Sequence, residues 1–230
     1  MKRYRQPYRP EESSLPGVMP WLIHRVTEDG RQLVEGGVVV EEPLEIRVNG
    51  HPVAVLMRTP GMEKELAAGF CLGEGIVADL GHVALVQHCG RALPGETAEG
   101  DALDESRNRV DVRLMPGVEP PPLPESVSLI RSGCGRTDAA EMAEGLVAVN
   151  GSLRIAAGVL VHLVGRMTLQ QEAYRVAGGI HAAAVFDARG RTVVVCEDIG
   201  RHNAVDKAMG YCLLRGIPLH DKMVMSTGRA

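Results

Sequence analysis

Apolar residues recur along this chain first in short alternating runs and only later in four-residue steps. From Glu45 to Met57, Ile46, Val48, Val53 and Val55 alternate with their neighbours on either side of Asn49-Gly50. Asn-Gly accepts the positive φ angles of a type I′ turn, so this stretch predicts a β-hairpin. Thr59-Pro60 then reads as a helix start, with Thr59 as N-cap and Pro60 at the first position. Leu66, Phe70, Ile76 and Val77 give that helix an apolar side through about residue 77. Gly90 to Ser106 is acidic, Gly-rich and aperiodic, which predicts a surface loop. Val110, Val112 and Leu114 alternate again and predict a strand over 108–115.

The later half has an α/β rhythm. Helices are expected over 138–149 and 153–171. Ala182 to Phe186 and Thr192 to Cys196 read as short apolar strands joined by the turn Asp187-Ala188-Arg189-Gly190. Between Arg201 and Arg215, Ala204, Ala208 and Cys212 recur every four residues, with Val205, Met209 and Leu213 beside them. That is the period of a helix, and Gly216 and Pro218 stop it. Met223 to Met225 starts another strand. Five prolines between Pro116 and Pro124 make that segment stiff and extended. The expected organisation is therefore a flexible tail over 1–18, an α+β domain over 19–124 and a second domain over 125–230.

Composition narrows the class. The chain has 230 residues, 45% of them hydrophobic but only 3% aromatic, so its core must be aliphatic. Charged residues make up 23% and the net charge is -4, which argues against both a disordered chain and a generally basic nucleic-acid binder. No apolar run reaches the roughly 18–20 residues that cross a bilayer. The first fifteen residues are basic and polar, unlike a secretory leader. These features predict a cytoplasmic protein with no membrane or nucleic-acid partner.

There are five cysteines, an odd number without framework spacing, and no C-x-x-C pair. A disulfide scaffold and a thiolate zinc site are both disfavoured. Cys71, Cys196 and Cys212 fall within apolar helix or strand patterns, where a thiol acts as a small hydrophobe. Cys134 differs. It lies in Arg131-Ser132-Gly133-Cys134-Gly135-Arg136-Thr137, between glycines that leave it accessible and arginines that favour the thiolate. On composition alone an ordinary loop cysteine is an equal alternative.

Two further stretches hold candidate chemistry. Gly178-Gly179-Ile180-His181 places paired glycines and a histidine at the mouth of a strand. Glu197-Asp198-Ile199-Gly200-Arg201-His202-Asn203-Ala204-Val205-Asp206-Lys207 runs from a strand end into a helix, where α/β proteins hold ligands. Asp198 is a candidate helix cap, and a cluster of caps and ion pairs is the competing reading. A zinc deaminase would need H-x-E and P-C-x-x-C, but His181 is followed by Ala182-Ala183 and the second motif does not occur. Walker A, G-x-G-x-x-G and G-x-S-x-G patterns do not occur either.

Together these blocks, with Leu66-Ala67-Ala68-Gly69-Phe70-Cys71-Leu72-Gly73-Glu74-Gly75-Ile76 and Ser132-Gly133-Cys134-Gly135, resemble the formate dehydrogenase accessory sulfurtransferases, the FdhD family. The resemblance implies a small N-terminal α+β part followed by a cytidine-deaminase-like α/β sandwich domain lacking the zinc site. It implies a homodimeric sulfurtransferase that takes sulfur from a cysteine desulfurase and passes it, as a persulfide on Cys134, to the molybdenum cofactor. The recipient would be bis-molybdopterin guanine dinucleotide, destined for formate dehydrogenase. Its nucleotide and pyrophosphate portions are expected near Gly178, Gly179, Gly200 and Arg201, with His181 and His202 beside them, and no metal is held by side chains. Family members often carry a second cysteine where this chain has Thr137, so only a single-persulfide mechanism is open to it. A non-catalytic chaperone for the same cofactor is the alternative reading. The family also leads one to expect a Gly- and Arg-bearing cofactor motif beyond Ala230.

Overall fold

Asn49 and Gly50 take φ angles of 50° and 84° and close the expected hairpin. The hairpin joins β3 (Glu42–Val48) to β4 (His51–Arg58). In the computed structural model, the described residues are 15–89, 107–121, the backbone of 128–130, and 153–228. The loop expected over 90–106 and the helix expected over 138–149 lie outside them, as does most of the expected tail. The architecture is mixed α+β.

Three sheets are present among the described residues. β1 (Val18–Thr27) and β2 (Gly30–Val39) form an antiparallel ribbon. A five-stranded sheet runs β5-β6-β3-β4-β7, with β5 at Val83–His88, β6 at Arg109–Leu114 and β7 at Ser128–Ile130. Here β6 lies parallel to β3, and β7, which follows the proline run, lies parallel to β4. A three-stranded antiparallel sheet runs β10-β8-β9, with β8 at His181–Asp187, β9 at Thr192–Asp198 and β10 at Lys222–Ser226.

Helix α1 (Glu63–Gly73) begins later than the sequence suggests. Its N-cap is Met62, in the left-handed region at φ 60°. Thr59 does not cap it, because that side chain bonds elsewhere. The helix also ends before residue 77. Gly75 turns left-handed at φ 70°, and the Gly75 and Ile76 amides donate back to the Leu72 and Cys71 carbonyls. This is the Schellman closure that a glycine after a helix allows. The stretch expected as one helix over 153–171 is α2 (Ala157–Leu169), and α3 (Glu172–Ala177) follows it. The last helix, α4 (Arg201–Leu214), matches its expected span and closes at Gly216 by the same device.

The layers run five-stranded sheet, α1, α4, three-stranded sheet, α2. Leu44, Ile46, Val110 and Val112 pack beneath Leu66, Ala67 and Phe70 of α1. Ala183 and Val185 of β8 face Ala204 and Ala208 of α4, while Ala182, Ala184 and Phe186 face Leu163 and Met167 of α2. A strand covered on both faces reads as a continuous apolar run, which is why β8 shows no alternation.

Candidate functional site

The polar residues at the β9–α4 junction are mostly committed to one another. Asp198, the last residue of β9, is fully buried. Its Oδ1 accepts from the Gly200 amide at 2.9 Å and from Asn203 Nδ2 at 3.0 Å. Its Oδ2 accepts from the Thr59 amide at 3.1 Å and pairs with Lys207 Nζ at 2.7 Å. Lys207 is 1% exposed and donates also to the carbonyls of Thr59 and Glu197, at 2.8 and 3.2 Å. A buried lysine and a buried carboxylate are tolerable only when paired and fully hydrogen-bonded, and both conditions are met. Asn203 Nδ2 reaches the Met57 carbonyl at 2.8 Å. The Glu197 carboxylate accepts from the Ala173 and Tyr174 amides at 2.9 and 2.8 Å, closing the start of α3.

Asp198 therefore does not cap α4 in the usual way. The N-cap is Gly200, whose own lack of a side chain leaves the helix start without a side-chain cap. Any β-carbon at Gly200 would stand 2.8 Å from Asn203 Nδ2, so the close turn requires glycine. Arg201 and His202 head the first turn, and His202 is exposed.

His181 opens β8 directly opposite Asp198 in the strand register. Its Nδ1 lies 3.4 Å from Thr227 Oγ1, which also accepts from the Ala182 amide at 2.8 Å. Gly228 sits so close that a β-carbon there would be 3.2 Å from the His181 ring and 4.0 Å from Arg201 Cδ. The ends of β8, β9 and β10 and the start of α4 thus bring His181, Thr227, Gly228 and Arg201 together. Gly178 and Gly179 both take φ 63°, in the left-handed region glycine favours, and lead straight into Ile180-His181. Cys134, with Arg131, Arg136 and Thr137, lies outside the described residues.

A cavity of about 280 Å³ lies nearby, lined in part by Thr59, Pro60, Gln170, Ile180, Glu172 and Glu197. Among the described residues, two carboxylates and no basic side chain line it, and the charge they give it is wrong for a phosphate. The turn at Arg201-His202 has the favourable sign.

Three of the four described thiols are sealed, those of Cys71, Cys196 and Cys212. Burial pushes the Cys71 thiol up to about 12, with Asp206 and Glu74 adding to the shift. Burial does the same to Cys196, also to about 12. Cys212 is buried and raised for the same reason. Thiols held protonated in this way are poor nucleophiles. Cys89 is half-buried beyond the end of β5.

Asp206 faces α1. Burial lifts its carboxyl to about 7, helped by the negative charges of Glu74 and Asp198. Sequence reading missed the role of Thr59, whose three bonds to the junction join residues some 140 positions apart. No local pattern signals such a partner.

The profile of the FdhD/NarQ family matches residues 39–230 of the chain. The chain belongs to the FdhD/NarQ family. The sulfur carrier protein FdhD of Mycobacterium tuberculosis is 40% identical over 201 residues, covering 84% of this chain and 71% of that protein. That of Streptomyces coelicolor is 38% identical, covering 84% and 69%. That of Anaeromyxobacter dehalogenans strain 2CP-1 is 37% identical over 187 residues, covering 80% and 63%. A crystal structure from Desulfotalea psychrophila, of a protein called a formate dehydrogenase accessory protein, superposes with a TM-score of 0.67. It covers 93% of this chain and 75% of that one at 22% identity, which speaks to the fold. Among the described residues of this FdhD/NarQ chain, no helix is long and apolar enough to cross a membrane.

Proposed function

We propose that this FdhD/NarQ chain is a sulfurtransferase that carries sulfur as a persulfide on Cys134, from a cysteine desulfurase to the molybdenum cofactor used by formate dehydrogenase. The observation that carries the reading is the family match over 39–230 with Ser132-Gly133-Cys134-Gly135 inside it. Relatives named sulfur carrier proteins support the direction of the chemistry. The raised thiols of Cys71 and Cys196 support a carrier elsewhere in the chain.

The transfer step is an exchange at sulfur. The Cys134 thiolate attacks the outer sulfur of the desulfurase persulfide. A new S–S bond forms, the old one breaks, and the desulfurase cysteine leaves as thiolate. The outer sulfur keeps its proton and there is no net oxidation. Arg131 and Arg136 favour the attacking anion. With Thr137 in the second position, one cysteine does the whole task.

The substrate to be sulfurated is bis-molybdopterin guanine dinucleotide. We assign its nucleotide end to the start of α4, at Gly200, Arg201 and His202, with His181 across Gly228 from Arg201 and Gly178 and Gly179 leading into His181. An uncapped helix start beside a guanidinium is the chemistry a pyrophosphate needs. The reading takes the protein to be a cytoplasmic homodimer whose second unit is built like a cytidine deaminase.

The test is Cys134→Ser. Mass spectrometry after incubation with desulfurase and cysteine should show one added sulfur on Cys134 in the parent chain and none in the variant. Restoration of formate dehydrogenase by the variant would remove the assignment. Arg201→Ala should weaken binding of guanosine diphosphate, and unchanged affinity would move the nucleotide elsewhere.

A further inference from the structure

We infer that Thr59, at the end of β4, is the positioning residue for the nucleotide-binding start of α4. The inference rests on the assignment of that helix start to the guanine nucleotide. Thr59 is 3% exposed, and its amide, hydroxyl and carbonyl are all engaged at the β9–α4 junction. Its amide donates to Asp198 Oδ2 at 3.1 Å. Its Oγ1 accepts from the Ile199 amide at 3.0 Å. Its carbonyl accepts from Lys207 Nζ at 2.8 Å. Two residues earlier in β4, the Met57 carbonyl holds Asn203 Nδ2.

The junction's own bonds, from Asp198 Oδ1 to Gly200 and Asn203, are not the whole of its support. Gly200 has no side chain to fix the turn, and the helix start has no side-chain cap. Asp198 gives Oδ1 to Gly200 and Asn203 and Oδ2 to Thr59 and Lys207, so the carboxylate that holds the turn is itself anchored from β4. The Thr59 hydroxyl can be removed by a near-isosteric change that leaves every charge and every other bond of the junction in place. It holds the Ile199 amide, one residue before Gly200 and two before Arg201. Losing it frees the turn to rotate, and with it the direction of the first-turn amides and the root of Arg201. Site geometry of this kind depends on a supporting layer that never touches the ligand.

The experiment uses the full chain carrying Thr59→Val or Thr59→Ser, with guanosine diphosphate as probe. Isothermal titration is run at a temperature where circular dichroism shows each variant folded. Thr59→Val should bind about tenfold more weakly than the parent, and Thr59→Ser, which keeps the hydroxyl, should stay within about twofold. Equal affinity of parent and Thr59→Val overturns the inference while leaving the nucleotide assignment standing. A parent chain that binds no guanosine diphosphate removes both together. Should Thr59→Val not fold, hydrogen exchange on the parent decides. If the clamp and the site are coupled, the ligand must tighten the clamp. Saturating guanosine diphosphate should slow exchange of the Ile199 amide at least threefold, and an unchanged rate overturns the inference.

Discussion

Gly69 of α1 lies against the backbone of Asp206 in α4, and Gly210 of α4 lies against the backbone of Glu65 in α1. The two helices approach so closely that a methyl group at either glycine would overlap a carbonyl of the other helix. Glycine inside a helix normally costs about 1 kcal/mol relative to alanine. Here the helices accept that cost twice, because the crossing joins the layer over the five-stranded sheet to the layer over the three-stranded one. Gly69→Ala and Gly210→Ala should therefore destabilise the protein despite improving helix propensity, each by about 3 kcal/mol or more. Urea denaturation measures this. A stability equal to or above that of the parent would show that the helices can separate without loss.

Lys207 and Asp198 form a buried ion pair 2.7 Å apart. Removing one partner strands the other charge, so Lys207→Met should cost about 3–5 kcal/mol. Adding Asp198→Asn to it should return part of that loss, since the stranded carboxylate is gone. Non-additivity by chemical denaturation is the measurement. Strictly additive losses would mean that the two groups are bonded independently to the backbone and gain nothing from each other.

The legible parts of the fold are those specified by neighbours in sequence. Asn49-Gly50 between alternating residues gave away the hairpin, and the spacing of Ala204, Ala208 and Cys212 defined α4. The β1–β2 ribbon was not legible, because Val18 to Ile23 is an unbroken apolar run in which exposed Met19, Trp21 and Ile23 look no different from their more buried neighbours. Strand β7 is three residues long and pairs with β4 across more than seventy positions. At the site, the density of charge in Glu197 to Lys207 was visible, but its division of labour was not. Asp198, Asn203 and Lys207 are internal girders because Met57 and Thr59 come from the other half of the chain. Composition ranks those residues with Arg201 and His202, and only tertiary contacts separate the two sets.

The buried cysteines give a reactivity pattern. With thiols pushed up to about 12, Cys71 and Cys196 hold almost no thiolate near neutrality. Iodoacetamide applied to the native protein at pH 8 should leave both unmodified, along with Cys212, and should modify Cys134. Peptide mass spectrometry resolves the sites. Modification of Cys196 at the rate of Cys134 would place a reactive thiol inside the α4–sheet layer, contrary to its packing against Ala204 and Ala208.

Asp206 makes stability depend on pH in the direction opposite to most carboxylates. Its carboxyl is raised from 3.8 to about 7, first by burial and then by Glu74 and Asp198. The folded state therefore binds a proton that the unfolded state has already released between about pH 4 and 7. Stability from this group is complete below that window and is lost as pH rises through it, at no more than about 1.4 kcal/mol per pH unit. Asp206→Asn mimics the protonated form and removes the effect. The variant's advantage over the parent should be smallest near pH 4, should grow towards pH 7 and should then level off. Urea midpoints for both proteins across that range provide the difference curve, in which all titrations shared by the two proteins cancel and that of Asp206 remains. A flat difference would mean that the carboxylate reaches solvent and ionises freely beside Glu74.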